Sequence, residues 1–189
     1  INSIRSMAKG SAVALLLIYL IMSTIFKSYL QPALIMLTIP FGLVGATVGH
    51  ILYGLPLTMM SFFGMVALTG IVVNDSIILI VAINDRVSGG MPFFEAIREG
   101  GKRRFRAIVL TSMTTFGGLA PMIVEKSFQA QFLIPMALSI AFGVAFATLS
   151  TLIVVPCMLA VLNDLRRLGH SILRFRVPTR EEVEPSIAV

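Results

Sequence analysis

Five long runs of apolar residues, at roughly 10–26, 33–53, 57–83, 107–124 and 132–162, govern what this chain can become. Each is at or near the ~20 helical residues that cross a hydrocarbon core. They are continuously apolar, whereas a membrane barrel alternates apolar and polar residues over shorter strands, so helices are expected. With 57% hydrophobic and 13% charged residues, the 189-residue chain lies outside the balance of a soluble domain. The expected fold is all-α, a polytopic bundle of five transmembrane helices over 10–167. Residues 1–9 are read as the end of a preceding periplasmic segment and 168–189 as a polar, disordered cytoplasmic tail.

The charges give this bundle a direction. Of 15 Lys and Arg residues, 12 fall on one side: Lys27 in the first connection, Arg86, Arg98, Lys102, Arg103, Arg104 and Arg106 around the third, and Arg166, Arg167, Arg174, Arg176 and Arg180 after the last run. Arg5, Lys9 and Lys126 fall on the other. The positive-inside rule then puts the third connection and the C-terminus in the cytoplasm and the N-terminus outside. The formal charge of +6 is distributed by topology rather than along a continuous face, which argues against nucleic acid as a partner and for the lipid bilayer. Within the third connection, "MPFFEAIREGGKRRFR" carries Pro92 at a helix start and Phe93, Phe94 and Ile97 at helical spacing, predicting a short amphipathic helix over about 91–99 on the membrane surface.

Against this apolar background, "TGIVVNDSIILIV" (69–81) places Asn74 and Asp75 inside the third span. An ionised carboxylate at that depth costs on the order of 3 kcal/mol unless protein or water shelters it, so it needs a partner or a proton. The fourth span offers company. In "TSMTTFGG", Thr111, Thr115 and Gly118 share a stripe at i, i+4, i+7, with Ser112 and Thr114 beside it. Hydroxyls donate and accept, so Thr111 suits either protonation state of a facing acid. The plainer reading makes these groups hydrogen-bonding glue between helices.

Other features carry less. Gly45 and Gly49 of "GATVG" form a small-xxx-small motif for close helix contact, and Gly64, Gly70, Gly117, Gly118 and Gly143 offer similar flat places. His50 near Tyr53 reads as an interfacial side chain, with a proton relay as the lesser alternative. Met59, Met60 and Met65 read as packing rather than a soft-metal site. Cys157 has no second cysteine to bridge. Phosphate-loop and zinc-protease patterns are absent, so ATP hydrolysis, other enzymatic chemistry and a bound cofactor are not expected. The start at Ile1, with no leader pattern behind it, reads as a piece of a longer protein.

The strings "FKSYLQP", "IPFGLVGATVGHILYGLPLTMMSFFGMVALTGIVVNDSIILIV", "GGKRRFRAIVLTSMTTFGGLAPMIVE" and "AQFLIPMALSIAFGVAFATLSTLIVVPCMLAVL" together resemble the C-terminal membrane half of a resistance-nodulation-division (RND) efflux transporter, in the hydrophobe/amphiphile branch. The resemblance covers roughly residues 10–167 and implies spans eight to twelve of an inner-membrane proton antiporter. Its parent would be a homotrimer driven by the proton motive force and working with a periplasmic adaptor and an outer-membrane channel. Also implied is a relay in which Asn74 stands where some members keep a lysine, Asp75 follows it, and Thr111 stands at a threonine. Arg104 falls at a basic position near the cytoplasmic mouth, and Ser112 and Thr115 give support. Asn74 departs from the pattern by removing a counter-charge. The relay's aspartate pair and the substrate-carrying loops belong to the absent half. Relatives exporting metals or lipids, and a non-transporting membrane assembly module with a structural polar seam, are the alternatives.

Overall fold

The computed structural model describes the backbone of residues 2–174, 180 and 183, and the side chains of residues 5–168 with those of Arg180 and Val183. Six helices and no strand occur among the described residues. They are α1 (Asn2–Phe26), α2 (Leu30–Met36), α3 (Ile39–Tyr53), α4 (Met59–Ser88), α5 (Phe93–Val124) and α6 (Phe128–Arg174). They provide five segments long and apolar enough to cross a membrane, in the order the sequence predicts.

The second span is made of two helices. Pro40, at the start of α3, has no N–H to continue a helix from α2, so the chain tightens at Leu37 and Thr38. The Thr38 amide donates to the Ile35 carbonyl at 3.0 Å, and its hydroxyl donates to the same oxygen at 2.6 Å. At the far end of α3, Gly54 takes φ 64°, a left-handed cap that lets the Leu55 amide reach the His50 carbonyl at 3.1 Å. Thr58 and Ser61 then start α4 with a reciprocal capping box.

Boundaries differ from expectation in three places. Residues 2–9, read as a segment before the bundle, are already part of α1. The amphipathic stretch near 91–99 is helical but is not a separate helix: it forms the first turns of α5, which continues through Gly100 and Gly101. Gly100 costs helix propensity but is needed for contact, since a Cβ there would lie 2.7 Å from Ile83 Cγ1. Finally, α6 does not stop near 162 but runs to Arg174. At 1.5 Å per residue its 47 residues extend about 70 Å, well beyond a hydrocarbon core. Of the predicted disordered tail, 175–189 lies outside the described residues except at two positions. Arg180 pairs with Asp164 at 3.1 Å and stacks over Phe94 at 4.2 Å, and Val183 is buried.

α6 is the spine of the bundle, packed against α3, α4 and α5, while α1 leans chiefly on α2. Glycines permit the tightest contacts. An added Cβ at Gly45 would lie 2.3 Å from Phe146 Cβ, at Gly49 2.7 Å from Phe142 Cβ, at Gly64 2.6 Å from the Met136 carbonyl oxygen, and at Gly143 2.2 Å from Leu68 Cδ2. The motif at Gly45 and Gly49 therefore seats α3 on α6, and Gly64 and Gly143 seat α4 on it. Met65 packs against the cluster of Ala46, Leu68, Val72, Val144 and Ala147, as a filler residue would.

Candidate functional site

Asp75 lies in the membrane-spanning part of α4, 7% exposed, amid the buried residues Val72, Val73, Ser76 and Leu79 of the same helix. Its carboxylate accepts no hydrogen bond and makes no ion pair among the described residues. The hydroxyl next to it is committed elsewhere: Ser76 Oγ donates to the Val72 carbonyl at 2.8 Å and lies 3.2 Å from Thr38 Oγ1, at the break between α2 and α3. The acid is thus withdrawn from its surroundings, yet the cost of placing it there is not offset by any side chain within this bundle.

Asn74 takes the adjoining angle of α4 and is exposed. One turn before it on the same stripe is Gly70, also exposed, with no atom within 4 Å of an added Cβ. On α5, Thr111 is exposed, and its hydroxyl donates to the Ala107 carbonyl at 2.9 Å. Thr115 donates to the Thr111 carbonyl at 2.9 Å, and Thr114 to the same oxygen at 2.8 Å. Gly117 and Gly118 are open, like Gly70. Arg104 is exposed on the Thr111 stripe, two turns nearer the arginine-rich end. No hydrogen bond joins Asp75 or Asn74 to Thr111 among the described residues. Gly70 and Asn74 on α4, and Thr111 and Gly118 on α5, are thus small or polar residues left exposed on membrane-spanning helices.

Ser112 does not belong with them. It is 8% exposed and lies one turn beyond Ile108, which packs in the core with Val73 and Ile80. Its hydroxyl donates to the Ile108 carbonyl at 3.0 Å and is in hydrogen-bond contact with Thr148 of α6. The one-residue step from Thr111 to Ser112 turns the side chain by about 100°, which moves it from the exposed side to the α6 contact.

Three buried polar pairs escaped the sequence reading. His50 is 3% exposed rather than interfacial. Its Nδ1 lies 3.0 Å from the Ala46 carbonyl, which only accepts, so Nδ1 carries the hydrogen and the other ring nitrogen, in a neutral ring, accepts from Ser61 Oγ at 2.8 Å. Ser61 in turn accepts from the Thr58 amide at 3.0 Å. Gln31 and Asn84 exchange reciprocal bonds at 3.0 and 3.3 Å between α2 and α4. Thr38 and Ser76 are the third. The last two join residues 53 and 38 apart in sequence and the first spans one turn, and the only sign in the chain is a polar side chain inside an apolar run.

Residues 2–163 match the sequence model of the AcrB/AcrD/AcrF family. The swarming motility protein SwrC of Bacillus subtilis is 29% identical over 167 residues, which cover 88% of this chain and 16% of the relative. The multidrug resistance protein MdtC of Erwinia amylovora is 28% identical over 155 residues, 82% of this chain and 15% of that protein. A crystal structure of a heavy metal efflux pump superposes with a TM-score of 0.72 at 27% identity, covering 81% of this chain and 15% of the pump. The chain therefore spans about one-sixth of the length of these relatives.

Proposed function

From the premise that this chain belongs to the AcrB/AcrD/AcrF family of RND transporters, we propose that it supplies the C-terminal part of the membrane bundle of a proton-driven exporter of hydrophobic or amphiphilic compounds. In this reading its helices are spans eight to twelve of a longer protein. Asp75, Asn74 and Thr111 form its share of the proton relay, with Arg104 and Thr115 in support.

The observation that carries the reading is the open stripe. A membrane helix that shows Gly70 and Asn74, beside one that shows Thr111, Thr115 and Gly118, has the composition of a helix–helix contact rather than of a lipid-facing surface. A further helix laid along it would bring polar groups to Asp75, which has none in this bundle. A proton, or a cation on that helix, can satisfy the acid. Exchange between the two then favours one packing of the helices over another, which is how a titrating site drives a conformational cycle. Ser112, tied to Thr148, holds α5 against α6 and belongs to the frame.

The arginine-rich end of the bundle faces the cytoplasm in this proposal, with the protein in the bacterial inner membrane. The parent assembles as a trimer with a periplasmic adaptor and an outer-membrane channel, and no cofactor beyond the proton motive force is required. Substitution Asp75→Asn in the intact transporter tests the relay. We expect normal expression and loss of at least about 90% of proton-coupled export, as a tenfold effect needs only ~1.4 kcal/mol. Unchanged export would leave Asp75 a purely structural role, as in a non-transporting assembly module.

A second reading comes from the solved relative, described as a heavy metal efflux pump. The relay would be unaltered and the cargo would be a metal ion. Transport assays with a soft metal ion and with an amphiphilic dye, run on one preparation, separate the two.

A further inference from the structure

We propose that a cavity at the arginine-rich end, between the last turns of α4 and the first turns of α5, binds a phosphate-bearing anion that also carries a hydroxyl, as the headgroup of phosphatidylglycerol does. The cavity has a volume of about 540 Å³ and is lined by Ala82, Asp85, Arg86, Met91, Arg103 and Arg104. That is room for a headgroup. Three guanidinium groups face one carboxylate, so the lining is net cationic.

The geometry follows from the hairpin. Gly100 lets α5 close onto Ile83, and Arg103 and Arg104, one turn further along α5, reach the cavity that Ala82, Asp85 and Arg86 line from α4. Arg86 is half-buried, and its Nη1 donates to the Ala82 carbonyl, which fixes the plane of the guanidinium. None of the three arginines has an ion-pair partner among the described residues, although Asp85 shares the lining. In contrast, the neighbouring Lys102 is paired with Glu99 at 3.6 Å. Planar guanidinium groups left with free donors match phosphate oxygens in pairs. Asp85 gives the site its second requirement: it repels any phosphate that enters, and a ligand hydroxyl that donates to it offsets part of that repulsion. The apolar run of the fourth span starts at about Ala107, so the cavity lies near headgroup depth. Phe94 and Phe105, 54% and 55% exposed on the same stretch of α5, suit that depth.

The same chemistry could arrive on a lipid or as a soluble phosphate ester, and the test distinguishes them. Intact transporter in detergent is titrated with short-chain phosphatidylglycerol and, separately, phosphatidylcholine, and bound lipid is counted by native mass spectrometry. Expected are a preference of about tenfold or more for phosphatidylglycerol and a loss of about tenfold in Arg86→Gln/Arg103→Gln, since charge-assisted bonds to phosphate are among the strong ones. Asp85→Leu, which removes the acceptor together with the charge, should lower by about threefold the preference for phosphatidylglycerol over an anionic lipid without a headgroup hydroxyl. Lys102→Gln should match the parent. Displacement by millimolar glycerol 3-phosphate would identify a soluble ester as the ligand, and resistance to it the lipid. Equal binding of the two lipids, or full retention in the double variant, overturns the proposal. The single variants Arg86→Gln and Arg103→Gln, each expected to lose about threefold, serve if the double variant does not express. The inference uses the membrane placement of the proposed exporter and shares only Arg104 with its relay: binding is read without transport, and Asp75→Asn should bind the lipid normally.

Discussion

Two sets of glycines in this bundle have opposite surroundings. Between α6 and its neighbours α3 and α4, Gly45, Gly49, Gly64 and Gly143 are so closely met that a methyl group would collide with the facing helix, with backbone or phenylalanine atoms at the first three and with the Leu68 side chain at Gly143. On the outward sides of α4 and α5, Gly70 and Gly118 meet nothing within 4 Å. Lipid gives no reason to leave a glycine on a helix surface, where it costs about 1 kcal/mol against alanine. A helix contact does, because small residues let backbones approach. The filled set therefore supports the proposal that the empty set receives a further helix. The polar residues follow the same division: Ser112 is bonded to the Thr148 hydroxyl of α6 and Ser76 lies against the Thr38 hydroxyl at the α2–α3 break, while Asn74 and Thr111 stand in the open.

The largest effect separating the two sets should come from overpacking. Gly45→Val places its Cβ 2.3 Å from Phe146 Cβ and 2.8 Å from the Phe142 carbonyl oxygen, and should destabilise the bundle by about 3 kcal/mol. Thermal unfolding in detergent measures it. Gly118→Val is the matched probe: the proposed contact with a further helix predicts that it is tolerated in this 189-residue chain and disruptive in the longer transporter. Equal tolerance in both would break the comparison.

Next in size is the His50 clamp. His50→Ala leaves the Ser61 hydroxyl without its ring partner and opens a void between α3 and α4, at about 1–3 kcal/mol by the same unfolding assay. Asn74→Ala sharpens the contrast from the other side, with little change in unfolding but weakened export in the parent, because its amide has no partner in this bundle to lose. The smallest effect belongs to Ser112 and Thr148. A double-mutant cycle with Ser112→Ala and Thr148→Val should give a coupling of about 0.6 kcal/mol, typical of interhelical bonds in membranes.

Much of the architecture was legible because bilayer thickness imposes a length on apolar runs, and all five spans stand where the runs do. The break before α3 was written in Pro40, but a continuously apolar run masked it. The fusion of the amphipathic stretch with α5 was hidden for the opposite reason: "REGGKRR" looks like a helix end, and only the contact of Gly100 with Ile83 shows why the helix continues. At the candidate site, Asp75 and Asn74 could be found from charge in an apolar context. The orientation of Ser112 could not, since Thr148, its partner, is 36 residues away on a helix whose rotation is set by packing. His50 was misplaced because position near a span end suggests an interface, while its burial depends on Ser61 across the turn.

Spin-label accessibility decides whether the stripe of Gly70, Asn74, Thr111 and Gly118 is a protein contact that shields Asp75. A nitroxide is attached at Gly118→Cys in a Cys157→Ser background, and its collision rate with lipid-dissolved oxygen is measured in bilayers. The label should be freely accessible in this chain alone and protected several-fold in the longer transporter. High oxygen accessibility in both would place the stripe against lipid and contradict the account.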